Sequence, residues 1–315
     1  MSSRSLVIAA STAVLFTIHG IGMPIAAQKP VAKSSSAQKP AAKGADMLAM
    51  QVMLDRARFS PGEIDGRGGA NTKRAIDAFE KATGGPAAAA VAAMDVAATM
   101  AYTITAEDAA GPFTPVPADM MEKSKLKQLS YTSLVEALAE RFHASPSLLK
   151  RLNPTAKFTT GEAIQVPNVM AAPEAASGAG VTIAVSKRTS TLTLTDSAGA
   201  VIYHAPVTTG SARDPLPIGE WTVTAIVRNP TYNYNPDLFW DADPSHAKAK
   251  LPPGPNGPVG QVWIDLSKPH YGIHGTPEPS TVGHTSSHGC VRLTNWDANA
   301  VAALIGKGAK VTFTE

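Results

Sequence analysis

One cysteine in 315 residues is the scarcest feature of this chain. It excludes an intramolecular disulfide framework and any zinc or iron–sulfur site built on several thiolates. Excess charge of one sign is also missing. The formal net charge is +3 and no dense lysine or arginine run occurs, so no nucleic-acid partner is expected. Aromatics make up only 6%, yet all four tryptophans (Trp221, Trp240, Trp263, Trp296) lie in the last 100 residues, which points to the best-packed region there. No apolar run reaches the about 20 residues of a bilayer-spanning helix. What is abundant is proline and glycine, 25 of each, which cut the chain into short elements and linkers. A hydrophobic content of 44% suffices for a core. At roughly 100–200 residues per domain, the length predicts a multidomain chain of two or three units.

The first segment reads as an address. Arg4 supplies a positive start, Leu6 to Ile18 is apolar and uncharged, and Ile25-Ala26-Ala27 offers a small-residue cleavage site. Residues 1–27 therefore read as a secretory signal peptide. The alternative, an uncleaved anchor, is opposed by His19, Gly20, Gly22 and Pro24. The mature chain is expected outside the cytoplasmic membrane, with no membrane span after cleavage. In such an oxidising compartment a lone cysteine needs its own explanation. Residues 28–45 hold the near-repeat QKPVAK and QKPAAK, whose composition describes a solvated linker.

Two small modules follow. In residues 46–84, Met47, Met50 and Leu54 recur at helical spacing, Ser60-Pro61-Gly62 and Asp65-Gly66 mark a turn, and Ile76 and Phe79 share a second helical face. The segment FSPGEIDGRGGANTKRAIDAFEKATG resembles the small helical peptidoglycan-binding domain. A hairpin that only packs on its neighbours is the alternative. In residues 100–169, Tyr102 to Thr105 predicts a short strand and Thr132 to Phe142 a helix. Ser145 before Pro146 predicts an N-cap, with Leu148, Leu149 and Leu152 behind it, and GEAIQVP ends as a strand. Strand, helix, helix, strand, with ASPSLLKRLN and the final IQVP, resembles the glycan-binding LysM module, here with a long insertion after the first strand. Residues 170–180 are a small-residue linker.

From Val181 the pattern turns to alternating branched and polar residues: 181–185, 191–195, 201–207, 220–227 and 262–266 read as strands. Thr294 with Asp297 three residues later begins a helix that carries Ala300, Ala303 and Leu304. Five of the eight histidines fall between His246 and His288, and the single Cys290 follows His288 by two. His270 with His274, and His284 with His288, are four apart, the spacing of a helical zinc chelate. Gly272, Gly275, Pro277, Pro279, Gly283 and Gly289 break any helix there, so a metal site is not expected. A cysteine nucleophile fits better. A histidine from another strand can take the thiol proton, and amide groups around a glycine can face an oxyanion. A buried inert cysteine is the alternative.

Ser287-His288-Gly289-Cys290-Val291-Arg292, with Ile273-His274-Gly275-Thr276 upstream, resembles the signature of the L,D-transpeptidase catalytic domain. The likeness runs over 181–315 and takes in Pro217 to Val223 and Asn295-Trp296-Asp297. The resemblance implies a mainly β, sandwich-like catalytic domain carrying small α-helical and α+β accessory modules. It implies Cys290 as nucleophile, His274 as general base and proton donor, and His288 as a second site histidine supporting the thiolate or the loop. Gly289 and Cys290 amides would form the oxyanion hole. Arg292 would bind a stem-peptide carboxylate or hold the loop, and Tyr271 and Trp263 would line the cleft or pack as core. His246, His270 and His284 are left as surface or structural. No cofactor is required. The partner would be bacterial peptidoglycan, stem peptides and glycan strands, in the periplasm or cell wall, and the product 3→3 cross-links. Water as acceptor would make an L,D-carboxypeptidase, and an envelope-protein lysine would make an anchoring enzyme. A non-catalytic wall-binding protein is the alternative of another class. Residues 229–258, with seven prolines, are the candidate lid.

Overall fold

The computed structural model describes residues 43–169 and 179–315. The expected signal peptide, the linker up to residue 42 and the linker 170–178 lie outside the described residues.

Three helices open the described chain: α1 (Lys43–Arg56), α2 (Ala70–Thr83) and α3 (Ala87–Ala92). Phe59 and Phe79 meet edge to face at their centre, against Met53, Leu54, Ala75 and Ala87. The PGEIDG turn is organised by one buried amide. Gln51 Nε2 donates to Asp65 Oδ1 (3.0 Å) and the Arg67 carbonyl (2.9 Å), and its Oε1 accepts the Gly66 N–H (2.8 Å). The unit runs past the expected boundary at 84. Alanine can pack its small face without apolar periodicity, so α3 left no pattern in the Ala-rich stretch.

The next unit pairs β1 (Thr99–Thr103) antiparallel with β2 (Ala163–Pro167). Between them lie α4 (Ala106–Ala109), α5 (Met120–Ser124), α6 (Leu134–Arg141) and α7 (Pro146–Leu152). The first strand ends earlier than predicted because Thr105 is an N-cap, closing a capping box with Asp108. The predicted helix at 132 starts at Leu134, behind the Ser133 cap. Ser145 accepts the Leu148 N–H with Pro146 in the first turn, as the sequence predicts. The two modules do not keep separate cores. Leu48, Val52 and Ile64 of the helical unit pack with Ile104, Leu138, Phe142, Leu149, Ile164 and Val166.

The remaining chain supplies β3 (Thr182–Ser186), β4 (Thr191–Thr195), β5 (Val201–Pro206), β6 (Gly219–Arg228), β7 (Tyr232–Tyr234), β8 (Ala249–Leu251), β9 (Val262–Leu266), β10 (Gly272–His274), β11 (Val291–Arg292), helix α8 (Asn295–Leu304) and β12 (Lys310–Thr314). Eight strands form one sheet in the order β11-β10-β9-β6-β12-β3-β4-β5. The two halves share β6. Its first residues pair with β12, its last with β9, and a register shift between Val223 and Ala225 marks the transition. The expected sandwich-like domain is thus one continuous, curled sheet. Beyond β5 the chain reaches its other edge: Thr208 and Arg292 exchange both backbone bonds, at 3.0 and 2.9 Å. Both halves and α8 share one core, including Ile183, Leu194, Phe313, Ile264, Ile273, Val291 and Val301.

Residues 229–258 are not irregular throughout. β7 and β8 form an antiparallel pair, packed through Tyr234 and Leu251 on Leu129, with Met120 and Leu126 against them. Gly254, at φ 149°, lies so close to Leu129 that a Cβ would sit 2.2 Å from its carbonyl oxygen. The insertion after β1 therefore supports the candidate lid. Among the described residues no helix is long and apolar enough to cross a membrane.

Candidate active site

β10 and β11 run parallel, with Ile273 opposite Val291 and His274 opposite Arg292. Side chains alternate along each strand, so Ile273 and Val291 enter the core together. The opposite face then carries His274 and Arg292, and Cys290 shares their parity at the mouth of β11.

His274 is buried, and its Nδ1 lies 2.6 Å from the Gly275 carbonyl oxygen. A carbonyl only accepts, so Nδ1 carries the proton and Nε2 keeps its lone pair. Burial, with the Arg292 charge adding to it, pushes the imidazole down to about 4, against the Gly275 bond that opposes the shift. The ring is neutral at pH 7. Trp263 stacks on it, centroids 5.5 Å apart at 22°.

Cys290 is half-buried, and its Sγ donates weakly to the His270 carbonyl at 3.8 Å. Burial raises the thiol above its ordinary value, while backbone at Gly272 and the Arg292 charge pull it back. The resting pair is therefore thiol and neutral imidazole, which suits deprotonation coupled to attack. Arg292 lies within electrostatic reach of both groups. Among the described residues it forms no ion pair with a carboxylate.

His288 and Gly289 each have a partner of their own. His288 Nε2 pairs with Asp241 Oδ1 (2.9 Å), and its ring sits edge-on to Phe239. It faces the 229–258 segment. The Gly289 N–H donates to Ser287 Oγ (3.2 Å), and that hydroxyl donates to the Cys290 carbonyl (2.6 Å). The Gly289 amide is thus engaged by a side chain in this geometry. Gly289 is required for a different reason: at φ 103° a Cβ would stand 2.7 Å from the Tyr271 ring. Tyr271 lies against Gly289 within electrostatic reach of the thiol, whereas Trp263 stacks on His274.

Sequence reasoning missed Tyr232, whose hydroxyl is pushed up to about 12 by burial first and then by Cys290. Its signal was the aromatic pair Tyr232 and Tyr234 within the candidate lid. His246 bonds Tyr234 and Asp119, and His284 meets Asn71. Among the described residues no cluster of three His, Cys, Asp or Glu side chains could hold a metal ion.

The profile of the L,D-transpeptidase catalytic domain, YkuD, matches residues 180–312. A Bacillus subtilis (strain 168) protein provisionally named L,D-transpeptidase YkuD is 28% identical over 188 residues, 59% of this chain and 96% of that one. A second protein of that strain, provisionally named L,D-transpeptidase YqjB, is 31% identical over 140 residues, 42% of this chain and 70% of its own. The solved L,D-transpeptidase 3 of Mycobacterium tuberculosis, with a faropenem-derived adduct, shares 19% identity over 50% of this chain and 76% of that one, at a TM-score of 0.36. This chain belongs to the YkuD family of L,D-transpeptidase catalytic domains.

Proposed function

We propose that the protein is a cell-wall acyltransferase that joins peptidoglycan stem peptides 3→3 through a thioester on Cys290. The observation that carries this reading is the single face holding Cys290, His274 with a free Nε2 lone pair, and Arg292 without a carboxylate partner among the described residues.

The Cys290 thiol gives its proton to His274 Nε2 as sulfur attacks the carbonyl of the third residue of a tetrapeptide. The Cys290 amide faces the oxyanion. The carbon–nitrogen bond to the terminal D-alanine breaks, and its amine leaves with the proton from His274. An amine of a second stem then attacks the thioester and loses its proton to His274. The carbon–sulfur bond breaks, and the thiolate is reprotonated. Arg292 holds a stem carboxylate near the thiol. Tyr271 and Tyr232 border the cleft. In this reading no cofactor enters, since nucleophile, base and oxyanion donor are protein groups.

The domain reading is part of the proposal. Residues 1–27 export the chain, and the peptidoglycan-binding-like and LysM-like units direct it to the wall of the periplasm or cell surface. The test is mass spectrometry of products from tetrapeptide muropeptides with the acceptor varied. Wild type should yield cross-linked dimers and Cys290→Ala none. Undiminished dimer from Cys290→Ala would overturn the assignment. Release of D-alanine without dimer would make the protein a carboxypeptidase instead.

A further inference from the structure

Helix α8 starts five residues after Cys290, and its first three residues, Asn295-Trp296-Asp297, each contact a different part of the protein. Trp296 stacks on His143 of the LysM-like unit, centroids 5.2 Å apart at 8°, and His143 Nδ1 pairs with Asp55 of the helical unit (2.8 Å). The Asp297 carboxylate accepts from Tyr203 (2.8 Å) and Thr294 (2.7 Å). Neither contact touches the His274 segment. Asn295 is different.

Asn295 is fully buried. Its Nδ2 donates to both oxygens of Glu140, 3.1 Å each, and to the Pro255 carbonyl (3.1 Å). Its Oδ1 accepts the Gln261 N–H at 3.1 Å. A carboxylate on one side and an N–H on the other fix which way this amide faces. The oxygen is pressed onto two backbone positions: a Cβ at Gly260 would stand 1.9 Å from it, and one at Gly275 2.1 Å. Gly275 is the residue whose carbonyl holds His274 Nδ1. Glu140 is in turn held by the Tyr131 hydroxyl at 2.8 Å.

We propose that Glu140, on α6 of the accessory region, is a positioning residue for His274, acting through the Asn295 amide and the Gly275 backbone. The proposal rests on His274 being the proton acceptor for Cys290. The LysM-like unit then completes the active site from behind, besides any part it takes in binding the wall. Displacing the Asn295 amide moves Gly275, turns the imidazole and misaims Nε2.

The test uses the full chain and two readouts that need no peptidoglycan: the ring resonances of His274 in ¹⁵N-histidine-labelled protein, and the pH profile of Cys290 alkylation by iodoacetamide. Glu140→Gln keeps the volume but sets an NH₂ against the Asn295 NH₂. It should shift the His274 Nδ1–H resonance and slow alkylation at pH 7 by about tenfold, below the roughly hundredfold that a 1 Å misplacement can cost. With muropeptide, kcat should fall and KM hold. His143→Phe, which keeps the stack on Trp296, should leave both thiol and ring readouts at wild-type values. A folded Glu140→Gln with wild-type resonances and alkylation overturns the proposal, as does His143→Phe reproducing its effect. If Glu140→Gln does not fold, Tyr131→Phe is read the same way, with a smaller shift in the same direction supporting the proposal and none overturning it. If wild type makes no cross-linked product while Glu140→Gln still shifts the ring, the functional reading fails and the positioning stands.

Discussion

Two clusters of buried polar groups lie within a few residues of one another, on either side of Thr294, and they are built on opposite plans. At the start of α8, Asn295 and Asp297 both have multiple partners; from the accessory region Glu140 meets Asn295, and His143 stacks on Trp296 between them. At the thiol, among the described residues, the His274 side chain has one bond, Cys290 one weak contact, and Arg292 no carboxylate. A saturated network holds one geometry, whereas a sparsely bonded one leaves lone pairs and charge for a substrate. The largest expected effect follows from this contrast. Cys290→Ala should abolish cross-linked product while shifting the urea midpoint little, since a half-buried thiol with one weak contact contributes little to folding. A large loss of stability would place Cys290 with the structural cluster instead.

The joint should behave the other way. Trp296→Ala removes a buried indole from α8 and should destabilise by about 3–5 kcal/mol in urea unfolding. Trp296 Nε1 is buried and has no hydrogen-bond partner among the described residues. Trp296→Phe, which deletes that unpaired donor and keeps a ring on His143, should therefore cost far less than Trp296→Ala. Equal losses would mean that the indole nitrogen has a partner after all.

The joint also makes stability depend on pH. Burial pushes the Glu140 carboxyl up to about 7 from its ordinary 4.5, with Glu136 adding to the rise and Asn295, Tyr131 and His143 opposing it. The folded protein then keeps a proton that the unfolded chain has already released. That contribution is complete below pH 4.5 and is lost as pH climbs through about 7. Asp297, raised to about 6, has the same sign. Glu140→Gln cannot titrate, so its Tm should fall less than wild type between pH 5 and pH 8. Parallel Tm curves would show that Glu140 is already ionised at pH 5. At the thiol the sign is set by burial of Cys290, and iodoacetamide alkylation should still be rising at pH 9.

How far the sequence discloses these plans depends on the range of each interaction. Ser145-Pro146 and Thr294-Asp297 are local, and both caps form as read, except that the Asp297 carboxylate turns to Tyr203 and the Thr294 hydroxyl. The shared parity of Cys290 and Arg292 is readable along one strand. The register that sets His274 opposite Arg292 is not, because two parallel strands carry no joint local signal. Closure of the sheet by Thr208 and Arg292 is likewise non-local. The shared core of the two accessory units escaped because Leu48, Val52 and Ile64 look like the inner face of any helical hairpin. The engaged Gly289 amide escaped because a serine hydroxyl two residues away can as easily face solvent.

The smallest expected effect separates a cap that belongs to the joint from one that does not. Thr294 Oγ1 accepts the Asp297 N–H at 3.1 Å and donates to the Asp297 carboxylate at 2.7 Å, with both residues fully buried. Thr105 makes the corresponding bonds to Asp108, but at the exposed start of α4. Thr294→Ala should cost about 1–2 kcal/mol, toward the upper end of the range for N-caps, because it also strips a donor from a buried carboxyl. Thr294→Ser, which keeps the hydroxyl, should restore most of that loss. Thr105→Ala should cost only about 0.5 kcal/mol, because water can replace the lost partner. Equal values for Thr294→Ala and Thr105→Ala in urea titrations would mean that water reaches the start of α8 as readily as it reaches α4. The saturated network would then be no more rigid than the site it stands beside.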